Sequence, residues 1–266
     1  MTYYNNKTIW ITGASSGIGK EMAIQLSTYN CTLVLSSRKI DALEAVKNSC
    51  NSNAQVYLVT LDLADHDGLE KTFGDNHNLL KNVDILINNG GISQRSFAKD
   101  TSFRVYKKLM DVNYLGAVKL TSLILPYLLE KNTGHFVAIS SSAGKFGVPV
   151  RTGYSASKFA LHGYYEGLRA ELHKTNIHTT IICPGYIKTD ISKNALTSDG
   201  SPQGTMDDAQ ANGMPVEKMV GKVLRAIANK KQELLVGGLK ETHLAVWMSR
   251  MFPSLFRKII AKSRVT

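Results

Sequence analysis

The stretch Thr8-Ile9-Trp10-Ile11-Thr12-Gly13-Ala14-Ser15-Ser16-Gly17-Ile18-Gly19 decides the fold of this 266-residue chain. The β-branched and aromatic residues Thr8 to Ile11 read as a strand, the glycines and serines as a turn, and Lys20 to Leu26 as the body of a helix. Gly13, Gly17 and Gly19 let the backbone approach a pyrophosphate, and the helix behind them offers N–H groups that no carbonyl has claimed. The turn therefore points to a nucleotide cradle built from Gly13, Ser15, Ser16, Gly17, Ile18 and Gly19. A tight connection that needs only backbone freedom would read the same way.

The alternation continues outward from this unit. Cys31 to Leu35, Val56 to Leu61, Val83 to Ile87, His135 to Ser140, Ile177 to Cys183 and Glu233 to Val236 read as strands. Ile40 to Val46, Phe103 to Glu130, Tyr154 to His173 and Pro215 to Ala228 carry helical spacing. Parallel neighbours need a crossover, so the pattern predicts an α/β fold: a single-domain, Rossmann-type doubly wound parallel sheet with helices on both faces. Between Ile191 and Met214 the chain turns polar, and so long an insertion in a compact domain reads as a lid. The expected organisation is a domain over residues 1–239, including the lid at 191–214, followed by an appended segment at 240–266.

Composition excludes several classes. With 43% apolar residues, 21 Gly and 6 Pro, the chain can bury a large core and is neither collagen-like nor disordered. Cys31, Cys50 and Cys183 are too few and too far apart for a disulfide framework, which favours a reducing compartment. The residues before Trp10 leave no room for a signal peptide's apolar region, and Pro126, Glu130, Arg250 and Arg257 interrupt the longest apolar runs short of the ~20 residues of a membrane span. A soluble, cytoplasmic protein is expected. The seven histidines are scattered without HExxH or Cys/His spacing, so no metal site is expected. The formal charge of +11 favours anionic partners, but there is no RNP-type motif and no Arg-dense recognition helix, so nucleic acid is not among them.

Tyr154 and Lys158 are four residues apart at the start of a helix and so share a face. A phenol beside an ammonium can exchange a proton with a carbonyl oxygen, although a packed Tyr beside a surface Lys has the same spacing. Ser140-Ser141-Ser142 ends a strand, where a hydroxyl can hold a substrate oxygen. At the end of the second strand, where dinucleotide folds that bind NAD place an acidic residue, stand Ser37 and Arg38. A guanidinium fork and a hydroxyl suit a 2′-phosphate, so NADP(H) is preferred over NAD(H), unless Arg38 is merely a solvated cation. The glycine turn itself offers Ser15 and Ser16 and no basic residue.

Taken together, Thr12-Gly13-Ala14-Ser15-Ser16-Gly17-Ile18-Gly19, Asp62, Asn88-Asn89-Gly90, Asn113, Ser141, Tyr154 with Lys158, and Pro184-Gly185 resemble the short-chain dehydrogenases/reductases in order and spacing. The resemblance implies that Asn113, Ser141, Tyr154 and Lys158 are catalytic: Tyr154 as acid/base, Ser141 orienting the substrate, and Asn113 holding a water that relays protons to Lys158. Ser140 and Ser142 are the alternatives to Ser141. The resemblance further implies that Lys158 binds the nicotinamide ribose and lowers the Tyr154 pKa, that Asp62 contacts adenine, and that Asn88 and Gly90 line the cofactor. Pro184, Gly185, Ile187 and Thr189 would meet the nicotinamide end, with the Ile187 N–H and Thr189 directed at the carboxamide. Asp62 could equally cap the following helix. The family usually has Ala where this chain has Gly91, which adds backbone freedom beside the cofactor.

The implied function is hydride transfer between NADP(H) and a carbonyl or secondary alcohol, with a small-molecule, lipophilic substrate; Ser140 to Lys158 and the basic, apolar tail resemble the hydroxysteroid-dehydrogenase-like branch more than the acyl-carrier reductases. A homo-oligomer, dimer or tetramer, associating through the two long helices is also implied. The rival is a catalytically silent NADPH-binding sensor or scaffold on the same fold. From Lys240 onward, the cations Lys240, Arg250, Arg257, Lys258, Lys262 and Arg264 face one anion, Glu241. Leu244, Trp247, Met248, Met251, Phe252, Leu255, Phe256 and Ile259 recur there at helical spacing, giving an amphipathic face if Pro253 permits it. That face suits an anionic membrane surface, the substrate cleft or a second subunit.

Overall fold

The computed structural model describes residues 1–263. Seven strands, β1 (Thr8–Thr12), β2 (Thr32–Ser37), β3 (Gln55–Thr60), β4 (Ile85–Asn88), β5 (Gly134–Ile139), β6 (Ile177–Pro184) and β7 (Glu233–Val236), form one sheet in the order β3-β2-β1-β4-β5-β6-β7. Every pairing is parallel, with Ile9 opposite Leu33 on one side of β1 and Ile85 on the other. The helices are α1 (Gly17–Leu26), α2 (Ile40–Lys47), α3 (His66–Asp75), α4 (His77–Leu80), α5 (Phe103–Met110), α6 (Gly116–Lys131), α7 (Thr152–Glu171), α8 (Asp208–Ala211), α9 (Val216–Ala228), α10 (Ala245–Met251) and α11 (Pro253–Ala261).

The two-residue period of the strands builds two cores. Ile9, Ile11, Leu33 and Leu35 point to one face, where Met22 and Leu26 of α1, Leu43 of α2 and Val220 of α9 cover them. Trp10, Val34, Leu86 and Phe136 point to the other, against Leu69 of α3, Leu120 and Ile124 of α6 and Tyr165 of α7. Strand order reverses between β1 and β4, and the loops leaving the carboxyl ends of the strands part there to form a crevice.

Element boundaries follow the sequence reading closely, with instructive differences. Helix α3 carries no strong apolar stripe; the Asp65 carboxylate starts it by accepting the Gly68 N–H at 3.0 Å, and only Leu69 and Phe73 bury. The long helix over 103–131 contains a π-turn at Asp111–Leu115. By length and composition Phe103–Lys131 is long and apolar enough to cross a membrane, which a search for uninterrupted runs does not reveal. Within the fold Leu120, Ile124 and Leu128 are fully buried against the sheet. The C-terminal segment is two helices rather than one continuous face, because Pro253 occupies the first position of α11 and the chain breaks at Phe252. Arg264 lies outside the described residues.

Candidate active site

The cradle is assembled by two turns that interlock. Thr12 Oγ1 accepts the N–H groups of Asn89 and Gly90, each at 3.0 Å, and Asn89 Nδ2 donates back to the Thr12 carbonyl at 2.9 Å. Gly13 has φ +65°, and a Cβ there would stand 2.6 Å from Gly90 Cα, so no other residue fits. Gly17 has φ +54° at the start of α1.

Around this junction opens a cleft of about 920 Å³. Gly13, Ser15, Ser16, Gly17, Ile18, Ser37, Arg38, Asp62 and Gly90 line one part of it; Ser141, Tyr154, Lys158, Pro184, Gly185, Ile187 and Thr189 line the other. Three expected residues are placed differently. Asn88 shares the face of Leu86 on β4, so its side chain enters the core, where Nδ2 donates to the Tyr165 hydroxyl at 2.7 Å and to Thr121 at 3.2 Å. Its neighbour Asn89 lines the cleft instead. Gly19 is turned inward, and a Cβ there would run into the Gly13 carbonyl; its role is close packing of α1 on the turn. Asn113 sits behind the cleft wall, fully buried.

At the end of the cleft beyond β2, Arg38 is exposed and Lys39 stands beside it at the cleft wall, a second cation the sequence reading left out. The Ser37 hydroxyl bonds the Lys39 carbonyl at 3.2 Å and the Lys39 N–H at 3.3 Å. Asp62 accepts the Ala64 N–H at 3.0 Å, so it shapes the turn before α3 as well as lining the cleft.

At the other end, Ser141 lines the cleft with Tyr154, and its hydroxyl donates to the Pro184 carbonyl at 3.4 Å. It accepts the Ala143 N–H at 3.1 Å, whereas Ser140 Oγ is turned away toward the Lys158 carbonyl at 3.3 Å. Burial pushes the Tyr154 phenol above its ordinary 10, outweighing Ser141 and the guanidinium groups of Arg151 and Arg95, which pull it down. The Lys158 ammonium is 5.8 Å from the Tyr154 ring centre and donates to the Ile139 carbonyl at 2.8 Å, and burial holds it down at about 8.

The π-turn exists where Asn113 bridges two elements. Its Oδ1 accepts the Ile92 N–H at 2.8 Å, and its Nδ2 donates to the Ile92 carbonyl and to Ser157 Oγ, both at 2.9 Å. Gly91 does not use left-handed backbone; an alanine Cβ there would stand 3.2 Å from Asn113 Oδ1 and 3.4 Å from Lys158 Nζ.

Three buried residues escaped the sequence reading because only tertiary structure joins them. Arg95 and Arg151, both at the cleft wall, share the carboxylate of Asp207 from the lid. Lid residue Gln210 donates to the Ile187 carbonyl and, at 3.3 Å, to Thr189. Away from the cleft mouth, and among the described residues, His162, Cys183 and Glu233 bring their ligand atoms within 4.8 Å. Burial pushes the Cys183 thiol up to about 12 and the His162 imidazole down to about 4, and Lys145 bonds Glu233 at 2.6 Å.

A model of the short chain dehydrogenase family matches residues 7–199. The chain is 39% identical over 264 residues to the Mus musculus protein "Dehydrogenase/reductase SDR family member 7B", across 97% of this chain and 81% of that one. Two solved structures share its fold: the closed form of serine dehydrogenase complexed with NADP+ (TM-score 0.76, 23% identity, covering 88% of this chain and 95% of that one) and a short chain dehydrogenase/reductase from Burkholderia phymatum in complex with NAD (TM-score 0.79, 20% identity, covering 100% and 98%). This chain belongs to the short-chain dehydrogenase family, a family of oxidoreductases. The residues present fit a nicotinamide dinucleotide: the turn with Gly13 and Gly17 at positive φ leads into the start of α1 and lines the same cleft as Ser141, Tyr154 and Lys158.

Proposed function

We propose that this protein is an NADP(H)-dependent reductase of a lipophilic carbonyl compound, the reverse oxidation of a secondary alcohol being the same chemistry. The observation that carries this reading is that Ser141, Tyr154 and Lys158 line the same cleft as the glycine turn, with Ser141 pulling the phenol pKa down. The cofactor, when bound, supplies hydride. Gly13, Ser15, Ser16, Gly17, Ile18 and Gly90 would hold its phosphates and ribose; Asp62 would face the adenine; Ser37, Arg38 and Lys39 would face a 2′-phosphate; Pro184, Gly185, Ile187 and Thr189 would face the nicotinamide. Ser141 holds the substrate oxygen, Tyr154 delivers the phenolic proton to it, and Lys158 with Asn113 forms the route by which the proton is replaced. Burial keeps the phenol protonated, which suits donation to a carbonyl.

Support for a lipophilic substrate comes from α11. Phe256 packs on Phe146 at 5.0 Å between ring centres, and with Ile259 and Ile260 it lines the cleft. On the outer surface Trp247, Met251, Phe252 and Leu255 are each at least half exposed, among Arg250, Arg257, Lys258 and Lys262. Apolar groups interspersed with cations suit a peripheral contact with an anionic membrane. Removing the whole tail would disturb the cleft, so the test is Trp247→Ser with Met251→Ser and Leu255→Ser: sedimentation with phosphatidylserine vesicles should fall, and equal sedimentation rejects the contact. A homo-oligomer through α6 and α7 is proposed as well, and exposed Leu129 and Phe159 favour it.

The deciding experiment follows NADPH and NADH absorbance with a panel of quinones, diketones and keto-steroids, with Tyr154→Phe alongside. Turnover lost in the variant while NADPH still binds supports the reductase. Tight NADPH binding without turnover on any panel member favours the sensor.

A further inference from the structure

The proton-transfer reading leaves Arg95, Arg151 and Asp207 without a task. Their side chains are 5%, 8% and 2% exposed. Two guanidinium groups meet one lid carboxylate in buried surroundings beside Tyr154, and burying charge is costly even when it is paired. Stability alone does not account for such an arrangement.

The three residues come from different parts of the structure. Asp207 belongs to the lid, where its Oδ1 accepts from Gln203 Nε2 at 2.9 Å and its N–H donates to Ser192 Oγ at 3.2 Å. The arginines belong to the wall that carries Tyr154. Arg95 donates through Nε at 2.8 Å and through Nη2 to Asp207, and through Nη1 to the Gln94 carbonyl at 2.6 Å. Gln94 in turn accepts the N–H groups of Gly153 and Tyr154 at 2.8 and 3.3 Å. Arg151, which precedes α7, donates to Asp207 at 3.2 Å. One lid carboxylate thus grips both segments that position the phenol.

We propose that Asp207 is a positioning residue: through Arg95 and Arg151 it fastens the lid over the cleft and sets the charge felt by Tyr154, coupling lid closure to the acidity of the proton donor. This deepens, and rests on, the reading of Tyr154 as the acid. The Asp207 carboxylate offsets guanidinium charge beside the phenol, which then keeps its proton; with that carboxylate withdrawn, the Arg95 guanidinium favours the phenolate more strongly. The remaining charged groups at the cleft are Lys158 on α7, Lys108 on α5, Arg38 and Lys39 after β2, Asp62 after β3, Asp190 after β6 and Glu241 after β7. They stay in place when Asp207 or Arg95 is replaced, so they do not set the sign of the difference.

The test uses the full chain with 13Cζ-labelled tyrosine, the Tyr154 resonance being assigned by its loss in Tyr154→Phe. Its titration is followed by NMR, together with amide hydrogen exchange of residues 191–214, in wild type, Asp207→Asn, Arg95→Met and Asp207→Glu. Asp207→Asn is expected to lower the Tyr154 midpoint by about one unit and to speed lid exchange. Arg95→Met is expected to speed lid exchange as well but to move the midpoint upward, because it removes a cation. Asp207→Glu should restore both. Unchanged lid exchange in both Asp207→Asn and Arg95→Met, or a midpoint that moves the same way in both, overturns the proposal; if Asp207→Asn does not fold, lid exchange in Arg95→Met decides alone. The titration needs no substrate. Failure of the acid assignment would show separately, as turnover retained by Tyr154→Phe.

Discussion

The Lys158 ammonium stands 5.8 Å from the centre of the Tyr154 ring, tied at 2.8 Å to the Ile139 carbonyl. Both groups are buried, and burial moves them in opposite senses: the phenol up, the ammonium down to about 8. The pair is placed for proton exchange at the cost of a buried charge.

That cost is measurable as stability. Below pH 8 the folded and unfolded chains both hold the Lys158 proton, and the fold carries the full cost of burying it; between about 8 and 10.5 the folded chain gives it up first, so this contribution to stability rises with pH. Lys158→Met should therefore be more stable than wild type at pH 7, by about 2 kcal/mol after the lost bond to Ile139 is counted, with the gap closing toward pH 10.5. Denaturant unfolding at the two pH values checks this. Turnover should be lost in the same variant.

Tyr154→Phe removes the donor without removing the ring. Reduction should slow by about a thousandfold with NADPH binding retained, as expected when a general acid is lost. Because the wild-type phenol lies above 10, the reduction rate should be flat through neutral pH and fall only in the alkaline range, whereas alcohol oxidation should rise there.

Cofactor choice rests on two cations rather than one. The ratio of NADPH to NADH affinity should drop by about tenfold in Arg38→Ala and further in the double variant with Lys39→Ala, in keeping with loss of charged hydrogen bonds. Both residues are exposed, so raising the salt concentration should reduce the wild-type ratio as well. Fluorescence titration with each cofactor measures it.

Gly13→Ala meets both a left-handed φ and the Gly90 backbone 2.6 Å away. It should cost about 3 kcal/mol from strain and overpacking together and abolish cofactor binding. At Gly17 a Cβ meets only Thr189, at 3.4 Å, so Gly17→Ala should cost about 1 kcal/mol from φ alone. Thermal melts with and without NADPH separate the two.

Asn88→Ala distinguishes core from cleft. It strips the Tyr165 and Thr121 hydroxyls of their shared donor and should lower stability by about 2 kcal/mol, while the NADPH dissociation constant changes little. A large loss of NADPH affinity at unchanged melting temperature would restore Asn88 to the cofactor site.

Strand alternation in Thr8–Thr12 and its repeats is local, because neighbouring side chains point to opposite faces whatever the rest of the chain does. The glycine turn is equally local: Gly13 and Gly17 alone supply the φ values it needs. The doubly wound sheet, the cradle and the Tyr154–Lys158 helix face could thus be read from order and spacing. Which hydroxyl of Ser140-Ser141-Ser142 meets the phenol could not, since it depends on how the strand end turns against α7. Nor could the inward turn of Asn88, the pKa values of Tyr154 and Lys158, or the junction of Arg95, Arg151 and Asp207, which are separated by 56 and 112 positions along the chain. Burial and long-range charge pairing are properties of the surroundings of a side chain, and those surroundings exist only once distant segments have packed together.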